Sequence, residues 1–123
     1  MERIMVVDDA VFMRHMLKKI LSGAGFEICG EATNAKEAVE KYKILKPDLV
    51  TMDIVMPMME ELDGIGAVRE ITKFDPNAKV LIISVMTQQS LVVEALQAGA
   101  KDVVPKPIKA DMVVEAVNKI LKK

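Results

Sequence analysis

Five times in succession, a short and almost uninterrupted apolar run is followed by a longer amphipathic stretch. Arg3–Val7 is the first such run, and Met13, Met16, Leu17, Ile20, Leu21 and Ala24 then recur at helical spacing. Gly23 and Gly25 stop that helix, and Phe26–Gly30 reads as the second strand. Asn34 offers a cap for a second helix with Ala38, Val39 and Tyr42 on its inner stripe, and Lys46-Pro47 closes the unit. Asp48–Met52 is the third strand, followed by a loop and a helix carrying Ile65, Val68 and Ile71. Asp75-Pro76-Asn77 is a turn, and Lys79–Ser84 the fourth strand. A helix over Gln89–Ala98 ends at Gly99, and Val103–Val104 is a short last strand. Met112, Val113, Ala116, Val117, Ile120 and Leu121 form the core face of a final helix.

Strands that are apolar throughout belong to a parallel sheet covered on both faces. Five of them within 123 residues fit a three-layer, doubly wound (βα)5 flavodoxin-like α/β fold, strand order 2-1-3-4-5, better than a Rossmann fold or a barrel. In that order the last strand is an edge, where Pro105 is tolerated without its N–H. The chain reads as a single domain over residues 1–123.

Composition narrows the chemistry. A formal net charge of −1 argues against nucleic acid as the main partner, because phosphate binding needs a basic surface. No apolar run approaches the ~20 residues of a membrane span, and the start lacks a signal-peptide layout. Cys29 is the one cysteine and His15 the one histidine, which fits a reducing, cytoplasmic setting and argues against cysteine clusters or histidine pairs. Carboxylate, hydroxyl and lysine chemistry remains.

Ligands of open α/β sheets bind beyond the carboxyl ends of the strands. The first strand ends in Asp8-Asp9 and the third in Asp53, and these strands are neighbours in the expected order. Two carboxylates ~4 Å apart repel by about 4 kcal/mol at an effective dielectric of 20. A hard divalent cation is the natural remedy, and all-oxygen ligation points to Mg2+ or Mn2+. Taken singly, Asp8-Asp9 could merely cap a helix and Asp53 merely open a loop. Ser84 at the end of strand four and Lys106 after strand five weigh against that, since they bring a hydroxyl and an ammonium to the same rim.

The ordered set Asp8-Asp9-Ala10, Met52-Asp53-Ile54-Val55-Met56-Pro57, Ser84 and Lys106-Pro107 resembles a CheY-like response-regulator receiver domain over essentially the whole chain. The stretches Asp8–Leu17 and Met86–Asp102 look more like the stand-alone chemotaxis regulators than the average receiver. The resemblance implies a phosphoacceptor at Asp53, charged by a CheA-like histidine kinase. It implies Mg2+ held by Asp8, Asp9, Asp53 and the main-chain carbonyl of Val55. Lys106 would bind a phosphoryl oxygen, its bond to Pro107 would be cis, and Ser84 would swing toward the phosphoryl group. The implied output is binding, without an attached output domain, through helix four, strand five and helix five (Gln89–Ala98, Val103, Ala110–Leu121). The partner would be a flagellar or archaellar motor switch protein or an adaptor, the regulator a monomer, and its only catalysis its own phosphorylation and slow dephosphorylation. A phosphorelay intermediate that passes phosphate to another histidine is the alternative. A D-x-D phosphohydrolase fits less well, because Val55 stands two after Asp53, and a flavodoxin lacks its Ser/Thr loop at Ala10–Phe12.

Five places stand out against the pattern. Glu60-Glu61-Leu62 lengthens the turn before Asp63-Gly64, which is either a neutral insertion or an altered acidic docking surface. Val103 stands where many chemotaxis regulators carry an aromatic switch residue, and Val85 replaces the commoner alanine. Val55 and Met86, where receivers tune attack by water, are both apolar and cannot orient it, so a partner phosphatase or return of phosphate to the kinase is expected to end the signal. Phe12 reads as either docking surface or packing, Cys29 as a small apolar residue and His15 as exposed. The ten methionines read as deformable filler, divided between core positions such as Met16 and Met112 and a cluster of Met52, Met56, Met58 and Met59.

Overall fold

The computed structural model describes residues 1–54, 63–85 and 88–122. Ten elements alternate along the chain: β1 (Arg3–Val7), α1 (Val11–Gly23), β2 (Glu27–Ala32), α2 (Ala35–Leu45), β3 (Leu49–Met52), α3 (Gly64–Phe74), β4 (Val80–Ser84), α4 (Gln89–Ala98), β5 (Asp102–Pro105) and α5 (Ala110–Leu121). The strands form one sheet in the order β2-β1-β3-β4-β5, every neighbouring pair parallel. This is the doubly wound order that the apolar runs predict, with Pro105 on the edge strand.

Each face of the sheet has its own core. Ile4, Val6, Leu49, Leu81 and Ile83 point toward Leu17 and Leu21 of α1 and Val113, Ala116 and Val117 of α5. Met5, Val7, Val50, Met52, Val80 and Ile82 point toward α2, α3 and α4. Alternate residues of one strand therefore serve opposite layers, which is why these strands carry no polar face. Burying a Leu, Ile or Val side chain is worth about 1.5–3 kcal/mol, so the central strands dominate stability.

Strands β2 to β5 shift by one or two residues from the expected bounds, and Ala24 and Met112, expected on inner faces, lie elsewhere. The second strand runs two residues past Gly30, because Glu31 and Ala32 continue the ladder opposite Val6 and Val7. Ala24 caps α1 from an exposed position, and Met112 is 42% exposed and not in the core. The buried face of α5 is Val113, Ala116 and Val117, and at about 100° per residue Met112 falls on its flank. Met16 is half-buried, whereas Met5 and Met52 are fully buried.

Local chemistry ends the helices, at Asn34, Lys46 and Gly99 as the sequence suggests and at Asp63 in addition. Asn34 accepts from Glu37 N at 2.8 Å, and Asp63 caps α3 by accepting from Gly66 N at 2.7 Å. Lys46 closes α2 in the left-handed region at φ 46°. Gly99 ends α4 at φ 126°, and an added Cβ there would run into the Thr72 side chain. Asp75 accepts from Asn77 N at 3.1 Å, making the turn before β4. Cys29 is half-buried in β2 beside the α2 layer, and burial pushes its thiol pKa up. Among the described residues no helix is long and apolar enough to cross a membrane.

Candidate functional site

Parallel β1 and β3 lie side by side, with Val7 opposite Met52. The next residues, Asp8 and Asp53, therefore emerge together at the carboxyl rim. Their backbones continue the ladder for one step: Asp8 N donates to Ala32 O at 3.1 Å and Asp53 N to Val7 O at 3.2 Å. Asp8 and Asp53 are buried, whereas Asp9 is exposed. One carboxylate oxygen from each of the three lies within 4.8 Å of the others.

Lys106 reaches this cluster from beyond β5. Its Nζ donates to Asp8 Oδ2 at 2.8 Å and to Asp53 Oδ2 at 3.1 Å, with the lysine side chain only 11% exposed. Burial alone would lower its pKa, but the hydrogen bonds to Asp8 and Asp53 and the negative charge of both together outweigh that and raise it. The backbone aims the side chain, since Lys106 N donates to Ser84 O at 3.0 Å and the Lys106-Pro107 peptide is cis.

Ser84 is fully buried at the end of β4, where it pairs with Pro105. It lies two residues past Ile82, the partner of Met52, and so at the same rim as Asp53. Val103 in β5 packs against the core beneath α3 and α4. Val85 is 67% and Phe12 72% exposed, and His15 is exposed too. Val55, Met86 and the Glu60–Leu62 stretch lie outside the described residues, as do Met56, Met58 and Met59.

The donor set suits a hard divalent cation. Its atoms are all carboxylate oxygens, one residue is solvent-accessible, and Lys106 pairs with two of the three carboxylates. Asp8, Asp9, Asp53, Ser84 and Lys106 thus lie at one rim, whereas Val103 lies below it against the core.

Sequence reasoning overlooked two supports. Gly64 N donates to Ile54 O at 3.0 Å, and an added Cβ at Gly64 would overlap the Asp53 carbonyl and lie 2.6 Å from Ile54 Cα. The glycine is required there by close approach to the residue that carries the carboxylate. Arg14 of α1 donates to the Asp8 carbonyl at 2.8 Å, behind the acid cluster. Its position one turn into the helix that follows Asp8-Asp9 was the available signal.

Comparison with known proteins agrees with this geometry. The model of the response regulator receiver domain matches residues 4–118. The chemotaxis protein CheY of Thermotoga maritima is 59% identical over 121 residues, covering 98% of both chains. The Bacillus subtilis chemotaxis protein CheY is 56% identical over 119 residues, covering 97% of both. A similar solved structure is the CheX–CheY–BeF3–Mg2+ complex of Borrelia burgdorferi, at TM-score 0.93 and 38% identity over 99% of this chain and 90% of that one. With three carboxylates and a lysine at the rim of a 2-1-3-4-5 sheet, and with matches of this extent, the chain belongs to the response regulator receiver domain family and is CheY-like within it.

Proposed function

We propose that this receiver is a cytoplasmic chemotaxis response regulator that accepts a phosphoryl group on Asp53 from a CheA-like histidine kinase, as a single unit over residues 1–123. The observation that carries this reading is the Lys106 ammonium, hydrogen-bonded to both Asp8 and Asp53 beside a third carboxylate oxygen. An Asp53 carboxylate oxygen attacks the phosphorus of a phosphohistidine, the P–N bond breaks, and its electron pair leaves with the imidazole. Such a transfer needs little beyond alignment and neutralised charge. Asp8, Asp9, Asp53 and the Val55 carbonyl would hold Mg2+, or Mn2+ by the same ligation chemistry, and the ion would supply positive charge to the phosphoryl oxygens. Lys106 exchanges its bond to Asp53 for one to a phosphoryl oxygen, and the Ser84 hydroxyl takes another. The relative solved with BeF3 and Mg2+ supports this chemistry.

Output is binding. Val93 and Leu96 of α4 and Met112 of α5 are each more than 40% exposed, an apolar supply for a protein partner on the α4–β5–α5 face. The partner class is a motor switch protein or its adaptor, and the regulator acts as a monomer that turns over no external substrate. With apolar Val55 and Met86, shut-off falls to a phosphatase or to the kinase.

The test is incubation with a small phosphodonor and Mg2+, followed by intact mass. One added phosphoryl group, lost in Asp53→Asn and without metal, is the expected result. Folded, metal-supplied protein that gains no mass would overturn the reading. Transfer onward to a histidine phosphotransfer domain, without binding of motor components, would identify a relay instead.

A further inference from the structure

Behind the acid cluster lies a second set of charges that the phosphorylation chemistry does not use. Glu31, near the end of β2, accepts from Arg14 Nε at 3.1 Å and from Lys18 Nζ at 2.8 Å. Lys41 of α2 donates to the Glu31 carbonyl at 2.5 Å. Arg14 uses its remaining reach forward, donating from Nη1 to the Asp8 carbonyl at 2.8 Å. Its side chain is only 12% exposed, so the fork is held in one geometry. The hydrogen bonds from Lys18 and Arg14 keep the Glu31 carboxyl below the usual carboxylate range, and it stays charged as their anchor.

The Asp8 carbonyl belongs to the peptide plane shared with Asp9, and that plane is rigid. The rest of Asp8 is tied down: its N–H to Ala32, one carboxylate oxygen to Ala10 N at 2.9 Å and the other to Lys106. Asp9 itself is exposed. Holding the Asp8 carbonyl therefore sets the direction in which Asp9 leaves the strand.

We infer that Arg14, anchored by Glu31, is a positioning residue that aims Asp9 at the metal site. This rests on the Mg2+ reading above. It makes a prediction of opposite sign to simple electrostatics. Removing a cation close to a cation site should tighten Mg2+ binding by Coulomb's law. Removing a support behind a metal ligand should weaken it, by about 10–100-fold in metal sites generally.

The experiment is metal titration of the folded protein by calorimetry with Mg2+, and by electron paramagnetic resonance with Mn2+. Arg14→Ala should raise the dissociation constant about tenfold. Arg14→Lys keeps the charge but cannot serve both Asp8 and Glu31, so it should also bind more weakly than the parent. Glu31→Gln, which leaves Arg14 in place without its anchor, should fall between parent and Arg14→Ala. Lys19→Ala removes a charge from an exposed position of the same helix and should change affinity less than about twofold. Tighter or unchanged binding in Arg14→Ala and Glu31→Gln overturns the inference. Parent protein that binds neither metal overturns the Mg2+ reading itself, a distinct outcome. Circular dichroism confirms that each variant is folded, and should Arg14→Ala not fold, Arg14→Lys and Glu31→Gln decide.

Discussion

Lys106 Nζ stands 2.8 Å from Asp8 Oδ2, joining residues 98 positions apart across the rim of the sheet. The lysine is a counter-ion of both Asp8 and Asp53. Lys106→Met should therefore destabilise the metal-free protein by about 3 kcal/mol, the usual cost of breaking one side of a buried pair. Mg2+ should narrow the difference by neutralising the same carboxylates. The raised lysine pKa sets the pH window. Its stabilisation is fully present below about pH 10.4, the ordinary lysine value, and is lost as pH rises through the higher folded value. Urea unfolding of parent and variant should show a constant gap up to that pH and a closing gap above it. A gap that persists at the alkaline limit would contradict the assignment.

How far the site could be read in advance depends on which interactions follow from strand register. Asp8, Asp53 and Ser84 were legible because each terminates an apolar strand, and a parallel sheet brings those ends to one rim. Arg14 and Glu31 were not, because a charge early in a helix and another late in a strand look like solvated surface until the fold sets them 3.1 Å apart. The same polar Glu31 hid the last two residues of β2, although backbone pairing with Val6 continues there. Met112 was misplaced for a simpler reason. A helix with seven apolar residues over the ten positions 112–121 has more of them than its buried stripe holds.

Gly64 sets the second prediction. An added Cβ would overlap the Asp53 carbonyl, and backbone cannot yield as a flexible side chain does. Gly64→Ala should cost about 1–3 kcal/mol, the range of local backbone strain, and should slow phosphorylation from a small phosphodonor by displacing Asp53. Stability and phosphorylation rate should fall together. A variant with parental stability and rate would show that the turn adapts freely.

Thr51 offers a gain. It lies in β3 between Val6 and Leu81, 1% exposed, and its hydroxyl has no hydrogen-bond partner among the described residues. A buried hydroxyl left unpaired costs about 1–3 kcal/mol, whereas a methyl of the same shape costs nothing to desolvate. Thr51→Val should raise the free energy of unfolding by about 1 kcal/mol, read as a higher urea midpoint at unchanged slope. A lower midpoint would mean that the hydroxyl contributes to the fold.

Tyr42 gives a prediction with its own optical signal, because it is the only tyrosine in the chain. Its hydroxyl donates to Asp75 Oδ2 at 2.8 Å, tying α2 to the C-cap of α3. Burial first, and then the hydrogen bond to Asp75, raise its pKa well above the ordinary value. The folded chain keeps the neutral phenol where the unfolded chain ionises, so this contribution is intact below about pH 10 and declines as pH rises toward the folded value. Tyr42→Phe should lose about 1.5 kcal/mol at neutral pH, the scale of a hydrogen bond to a charged group, and should show a shallower alkaline decline than the parent. Near-ultraviolet absorbance of the parent should register tyrosinate only as the protein unfolds. Ionisation near pH 10 in the still-folded protein would show that the Tyr42–Asp75 bond does not hold in solution.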